Sequence, residues 1–169
     1  MPHIASQRKI RDRQLSDTPV RPMFDLDLTL AILHHLFVFA LFGVLFTEFV
    51  TVRRGMDAAT TARVVPIDAW YGILAALILI VGFSRAIFAA KGWTYYAHNA
   101  FFWAKIGTFA AIGLLSVPPT LAFLKWRRSG AAPADEAVAR VRRFLWSELA
   151  LFPLLPAFAA AMARGYGEF

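Results

Sequence analysis

Apolar residues run almost without interruption through four stretches of the chain, and polar segments separate them. The stretches cover residues 28–50, 67–89, 100–124 and 144–163. A helix needs about 20 apolar residues to cross a bilayer core about 30 Å thick, so each stretch is long enough to span a membrane. Continuous runs favour helices over the alternating pattern of a membrane β-barrel. The pattern predicts an all-α polytopic membrane protein, an up-and-down bundle of four transmembrane helices.

Composition agrees with this prediction and excludes several classes of function. Of 169 residues, 59% are hydrophobic and 17% are charged, against about 25% charged in soluble domains. The chain has no cysteine, which excludes disulfides, thiolate nucleophiles and iron-sulfur clusters. The net charge is +7, but the basic residues cluster beside the apolar spans. We therefore expect the lipid bilayer as a partner, and no nucleic acid.

Polarity and charge also predict the domain organisation and the orientation. Residues 1–22 are polar and basic, which predicts a disordered tail before one membrane domain over residues 23–169. With the tail set aside, one side of the membrane holds Lys91 and Arg164, and the loops after the first and third spans hold nine basic residues. Basic residues near span ends favour the cytoplasmic side, so both termini are predicted outside the cytoplasm. The nine are Arg53, Arg54, Arg63, Lys125, Arg127, Arg128, Arg140, Arg142 and Arg143.

Ionisable residues within the spans are functional candidates, because each costs about 2.5–3.5 kcal/mol on insertion scales. In an up-and-down bundle, the starts of spans one and three lie at the same face as the ends of spans two and four. This rule places two groups at opposite faces. One group is His34, His35, Arg85 and Lys105, and the other is Glu48, Asp68 and Glu148.

The first group is cationic and suits an anionic ligand. Candidates are a quinone, the carboxylate of a porphyrin, an inorganic anion or a lipid phosphate, and imidazole is available for haem iron, another metal or proton transfer. The alternative is that Arg85 and Lys105 extend to the membrane interface, with the nearby aromatic residues forming an ordinary interfacial belt. Secondary candidates are Tyr95, Tyr96, His98, Asn99 and Trp103.

Of the two adjacent histidines, only one can point to the bundle axis, because successive helical residues differ by about 100°. His34, Leu41 and Glu48 recur at intervals of seven and share nearly one face, which favours His34 as the interior residue and the candidate metal ligand. The alternative is a histidine hydrogen-bonded to another helix as a packing contact. The chain has four histidines in all, and one lies in the tail, so we expect at most one haem b.

For the second group, structural roles are favoured. Asp68 is expected to begin the second helix and to complement its dipole, while the two glutamates have arginines within about a turn. Prolines at 118, 119, 153 and 156 predict kinks in the third and fourth helices. Kinks of this kind open cavities in bundles.

The first three spans and the segments beside them contain several short motifs. The motifs are Leu33-His34-His35, Asp68 with Trp70-Tyr71-Gly72, Gly82, Arg85, Tyr95-Tyr96, Asn99 and Phe102-Trp103-Ala104-Lys105. They resemble a bacterial family of small four-helix membrane proteins of unknown function over about residues 23–165, which implies the bacterial inner membrane. More distantly, the chain is similar to HemJ-type protoporphyrinogen oxidases and to CopD-like membrane domains. By that similarity His34 or His35 matches a haem-ligating histidine and Lys105 an essential lysine.

Three functional hypotheses remain open from the sequence. The first is binding of a b-type haem or related anionic ligand at the His34, Arg85 and Lys105 face, with a redox role. The second is a non-enzymatic homo-oligomeric or accessory membrane subunit, with small residues at 72, 76, 82 and 86 allowing close helix contacts. The third is a pore or carrier for a small anion. Whether the protein is an enzyme is left open.

Overall fold

The computed structural model describes residues 26–88 and 92–169, and all the secondary-structure elements named in these ranges are helices. The predicted disordered tail at residues 1–22 lies outside the described residues. The helices are α1 (Leu26–Thr51), α2 (Ala58–Phe88), α3 (Gly92–Ala97), α4 (Ala100–Ser129), α5 (Asp135–Leu151) and α6 (Leu154–Ala163).

Within the described residues, four helical segments are long and apolar enough to cross a membrane. They are α1, α2, α4 and the consecutive pair α5 and α6, which together cover Asp135–Ala163. They pack up and down, so the predicted all-α four-span bundle is confirmed. Many large apolar side chains point outward; Phe39 is 72% exposed and Leu114 is 73% exposed. Outward apolar surface is expected where lipid, rather than water, surrounds the helices.

The four spans close into a ring. Helix α1 packs on α2, α2 on α4, α4 on both α5 and α6, and α5 returns to α1. The interior is filled by buried side chains such as Leu41 and Leu45 of α1, Ile112 and Phe123 of α4, and Leu145 of α5. Because lipid tails are as apolar as these side chains, van der Waals packing rather than exclusion of water holds the helices together.

The second helix begins earlier than the hydrophobic pattern predicts. It starts at Ala58, and Asp57 receives a 2.8 Å hydrogen bond from the Thr60 amide, as an N-terminal cap does. Asp68 therefore lies ten residues inside the helix, and the prediction that it begins the helix is wrong. Thr60, Thr61 and Arg63 interrupt the apolar residues of the first turns, and Pro66 follows, which is why the continuous apolar run alone misplaces the boundary.

The prolines that are predicted to kink the third and fourth spans act differently in the two spans. Helix α4 runs unbroken through Pro118 and Pro119, whereas the fourth span divides between Leu151 and Leu154 at Pro153. Proline lacks the amide hydrogen needed to continue the backbone ladder. The predicted interruption of the fourth span is therefore a true break between α5 and α6.

Asn99 joins the short helix α3 to the start of α4 and to the end of the chain. Its side-chain oxygen accepts hydrogen bonds from the amides of Phe101 at 3.0 Å and Phe102 at 3.3 Å, capping α4. Its side-chain nitrogen donates to the Tyr166 carbonyl oxygen at 3.0 Å. With Asn99 fully buried, these bonds fix the C-terminal segment against the end of the bundle where α1 begins and α2 ends.

Candidate functional site

His34 lies where α1 crosses α2, and Gly82 makes that position available. A Cβ atom added at Gly82 would stand 3.2 Å from Cε1 of His34, so the missing side chain leaves the space that the imidazole fills. Leu41 and Glu48, at intervals of seven along α1, are both buried, as their shared face predicts. The ring of His34 is half-buried, and its Nδ1 atom has no hydrogen-bond partner among the described residues.

His35 is exposed and turns away from the crossing. Its Nδ1 atom lies 2.6 Å from the Ala31 carbonyl oxygen, one turn earlier in α1. The His34 and His35 rings meet edge to face with centroids 6.1 Å apart. If Nδ1 of His35 carries the hydrogen in this contact, its Nε2 atom is free to accept a proton or bind a metal.

Arg85 has a neighbour that the sequence pattern does not reveal. Its Nε atom lies 3.7 Å from a carboxylate oxygen of Asp27, in the first turn of α1. The side chains of Arg85 and Asp27 are 27% and 41% exposed. Partial exposure on both sides makes this a modest ion pair, and the guanidinium keeps other donors for a second anion.

Lys105 reaches the same region from the second turn of α4. Its ammonium stands 5.7 Å from the centre of the Phe102 ring, within range of a cation–π contact. Over residues 26–88 and 92–169, no carboxylate lies within ion-pair distance of this ammonium. Lys105 is therefore the cation of this region that is most available to an anionic ligand.

Two adjoining cavities connect these residues. A polar cavity of about 310 Å³ is lined by His34, Arg85 and Lys105, together with Tyr95 and Tyr96. A larger, mainly apolar cavity of about 540 Å³ shares His34, His35 and Lys105 and continues into the bundle past aromatic and aliphatic side chains. Pro153 and Pro156 line this second cavity, so the break in the fourth span contributes to its wall.

The secondary candidates divide into two groups. Tyr95 and Tyr96 line the polar cavity, and the Tyr95 hydroxyl donates to the Met162 carbonyl oxygen at 2.9 Å. The other three line neither cavity. Asn99 is occupied in capping α4, Trp103 donates to the Ala97 carbonyl oxygen at 3.0 Å, and His98 stacks near Phe169. These three hold the end of the bundle together.

At the opposite end lies an acidic cluster, which we define as Glu48, Asp68, Tyr71, Thr120 and Glu148. Tyr71 donates to Glu148 at 2.9 Å, and Thr120 donates to Asp68 at 2.7 Å. The sequence pattern misses both hydroxyl partners, although Tyr71 follows Asp68 by three residues on one face of α2. The spacing of residues along the chain does not show which side chains form hydrogen bonds between helices.

The predicted arginine partners of the two glutamates are not found. Over the described residues, no arginine lies within ion-pair distance of Glu48 or Glu148. Arg142 instead donates to the carbonyl oxygens of Phe49, at 2.8 Å, and Val52. Its guanidinium also stands 4.3 Å from the Phe49 ring centre. This arginine closes the C-terminal end of α1, where carbonyl groups lack helical partners.

Comparison with known proteins agrees with this architecture. The family described as "Predicted membrane protein (DUF2214)" matches residues 26–167. The chain belongs to the DUF2214 family. No curated protein and no solved structure matches it. Membership in DUF2214 supports the assignment of the chain as a four-span membrane protein. The family description names no ligand for the His34, Arg85 and Lys105 region.

A bare metal ion and a haem need different numbers of ligands from the protein. The described residues contain no group of three or more histidine or acidic side chains placed to hold a bare metal ion. A haem needs less from the protein, because its porphyrin supplies four ligands and a single imidazole can supply the fifth. The imidazole of His34, two cations and an apolar cavity fit a porphyrin that carries carboxylates.

Proposed function

We propose that this protein binds one anionic, amphipathic small molecule within the bundle, near one membrane face, and that a b-type haem is the specific ligand. The proposal rests on two adjoining cavities, one with cationic side chains and one mainly apolar, that share His34 and Lys105 in their walls. A ligand with a charged group and a large apolar body would place the charge near Arg85 and Lys105 and its body between the helices. Ligand sites are commonly apolar cavities with few convergent polar groups.

The chain's own residues would divide the work of holding a haem. Arg85 and Lys105 would hold the propionate carboxylates, the guanidinium as a planar fork and the ammonium as a point charge. His34 would orient the iron through an imidazole nitrogen, with His35 as the alternative ligand. A bound haem would supply one-electron redox chemistry. We place this activity in a bacterial inner membrane, on the strength of the resemblance described above.

The first experiment is the visible spectrum of the full chain purified from a haem-replete host. We expect a Soret band that His34→Ala largely removes and that His35→Ala and the control His98→Ala retain. His98 is a fair control because it lines neither cavity. Equal loss in the His34 and His35 variants, or loss in neither, contradicts the assignment of His34.

The two cations provide a second arm of the same test. A charge-assisted hydrogen bond contributes about 1.5–3 kcal/mol, so Arg85→Gln or Lys105→Gln should weaken haem retention about ten- to a hundredfold. Arg85→Lys keeps the charge but loses the fork, and we expect it to weaken retention as well. If the double glutamine variant folds normally and the wild type carries no ligand, the haem proposal fails.

One observation favours the second hypothesis, a homo-oligomeric or accessory membrane subunit. Gly72 and Ala76 are exposed on α2, and nothing lies within 4 Å of a Cβ atom added at Gly72. Small residues at this spacing allow a second helix to approach closely. Gly72→Leu should then shift the mass of the detergent-solubilised particle measured by light scattering. An unchanged mass would leave the face to lipid. Gly82, by contrast, already contacts His34 within the chain.

A further inference from the structure

The acidic cluster lies at the end of the bundle away from the cavities, and it is deeply buried. Glu48 of α1 is 2% exposed and Glu148 of α5 is 0% exposed. Asp68 and Tyr71 of α2 are buried beside them, and Thr120 contributes from α4. Four helices thus bring three carboxyl groups to one place inside an apolar bundle.

Hydrogen bonds within the cluster leave one carboxyl group without a donor. Thr120 serves Asp68, and Tyr71 serves one oxygen of Glu148. Glu48 receives no hydrogen bond within the described residues, and its Oε1 atom is buried. The Oε1 atom of Glu148 is likewise buried without a partner. Natural proteins rarely leave buried polar atoms unsatisfied, so these oxygens indicate something further bound to them.

The groups that face Glu48 offer no compensating positive charge. Asp68 and Tyr71 approach from α2 and Glu148 from α5, near enough for electrostatic interaction with Glu48 or with one another. The nearby Arg142 directs its guanidinium to backbone carbonyl groups of α1. An isolated carboxylate in such surroundings costs far more to bury than a neutral carboxyl group.

We propose that Glu48 and Glu148 form a binding site for an exchangeable proton. A hydronium ion of the solvent gives up the proton and becomes water, an O–H bond forms at a Glu48 oxygen, and the single negative charge of that carboxylate is neutralised. The neutral acid then donates toward an unpartnered carboxylate oxygen, for which Oε1 of Glu148 is the available acceptor. A metal ion fits less well, because the described residues offer no set of three side chains placed to coordinate one. The proton site does not depend on whether the protein binds a haem.

Infrared spectroscopy of the full chain in a detergent without ester groups, whose carbonyl absorption would overlap that of a carboxylic acid, tests this directly. Exposed carboxyl groups are ionised at neutral pH and do not give the carbonyl stretching band of a protonated carboxylic acid. We expect the wild type to show this band, because the buried carboxyl group keeps its proton. The band should shift in D₂O because the proton exchanges. Glu48→Gln should remove the band, whereas the matched control Glu136→Gln, at an exposed position of α5, should retain it.

Three outcomes would overturn the proposal. The wild type could show no band of a protonated carboxyl group at neutral pH. This measurement does not depend on the folding of any variant. The band could persist unchanged in a folded Glu48→Gln protein. The band could also vanish when Na⁺ replaces a large organic cation at constant ionic strength, which would identify a metal ion as the occupant.

The pH dependence of stability gives a second readout. A carboxyl group that holds its proton in the folded protein contributes stability at low pH, and this contribution is lost as the pH rises. We expect the wild-type melting temperature in detergent to fall on going from neutral to alkaline pH. The fall should be smaller in Glu48→Gln, which is neutral at every pH. Equal slopes in the two proteins would contradict the proposed proton.

Discussion

The role of an individual side chain in this protein depends on its neighbours across the bundle. Arg85 illustrates this, because a cation in a membrane span suggests a free anion-binding group. The structure instead places Asp27 3.7 Å from its Nε atom. Any anionic ligand at Arg85 must share the guanidinium with a carboxylate of the same chain, so Asp27 is expected to weaken binding at this site.

Asp27→Asn should therefore strengthen binding of added haemin. Partly exposed ion pairs contribute about 0.2–1 kcal/mol, which corresponds to roughly a 1.4- to fivefold gain in affinity. Absorbance titration of the detergent-solubilised protein measures the change. Glu136→Gln removes a negative charge at the other end of the bundle and should leave the affinity unaltered. Weaker binding in Asp27→Asn would mean that the aspartate positions Arg85 for the ligand.

At the scale of helices, the contact between α1 and α2 shapes the candidate site. Gly82 of α2 provides the space occupied by the His34 ring, whereas Gly72, nearly three turns earlier, faces open space. Two glycines of one helix thus have different roles. Replacing each by alanine separates the effect of crowding from the general preference of helices for alanine.

Gly82→Ala should displace His34 and destabilise the bundle, since inserting a methyl group into a packed contact costs about 1–3 kcal/mol. Gly72→Ala should leave stability unchanged or raise it by up to about 1 kcal/mol, because alanine is the better helix former. Thermal melting in detergent compares the two variants. A Gly82→Ala protein as stable as Gly72→Ala would show that the imidazole moves aside at little cost.

The start of α2 supplies a prediction about pH. Hydrogen bonds from the Thr60 hydroxyl and amide hold the pKa of Asp57 below its ordinary value. A carboxylate with a lowered pKa stabilises the fold above its unfolded pKa and loses that contribution as the pH falls through its folded value. Asp57→Ala should melt below the wild type at neutral pH, and the difference should shrink below about pH 4.

Asparagine at position 57 is the control, because it caps a helix without titrating in this range. Asp57→Asn should keep most of the wild-type stability at neutral pH. A difference between wild type and Asp57→Ala that is constant from neutral to acidic pH would show that the charge of Asp57 makes no contribution.

Across the whole molecule, the two polar regions lie at opposite ends of one ring of helices. The His34, Arg85 and Lys105 region lies near the end where α1 begins, and the acidic cluster lies toward the end where α1 finishes. In the described part of the chain, basic residues are concentrated at the latter end, in the turn after α1, the last turns of α4 and the first half of α5. The orientation of the bundle therefore decides which aqueous compartment each region faces.

Reporter fusions determine that orientation. Basic residues near span ends favour the cytoplasm, so a fusion at Arg128 should report a cytoplasmic position and a fusion at Phe169 an external one. Fusions at Gly55 and Gly130, in the two turns at the same end, should agree with Arg128. A cytoplasmic Phe169 would reverse the orientation, while leaving the grouping of residues within the bundle as described.

The number of spans, their helical nature and the grouping of polar residues by membrane face follow from the order of residues along the chain. Length and hydrophobicity are local properties, and four consecutive spans must alternate in direction. The face shared by His34, Leu41 and Glu48 follows from helical periodicity, and the burial of Leu41 and Glu48 confirms it. The start of α2 could not be placed this way, because Thr60, Thr61 and Arg63 interrupt the apolar residues of its first turns.

Contacts between helices depend on how each helix is rotated and which neighbours the ring gives it. The pairs Thr120 with Asp68 and Tyr71 with Glu148 join residues 52 and 77 positions apart. The space left by Gly82 and the approach of Asp27 to Arg85 are of the same kind. Periodicity assigns a face to a side chain but no partner, and the partner decides whether a buried charge is compensated.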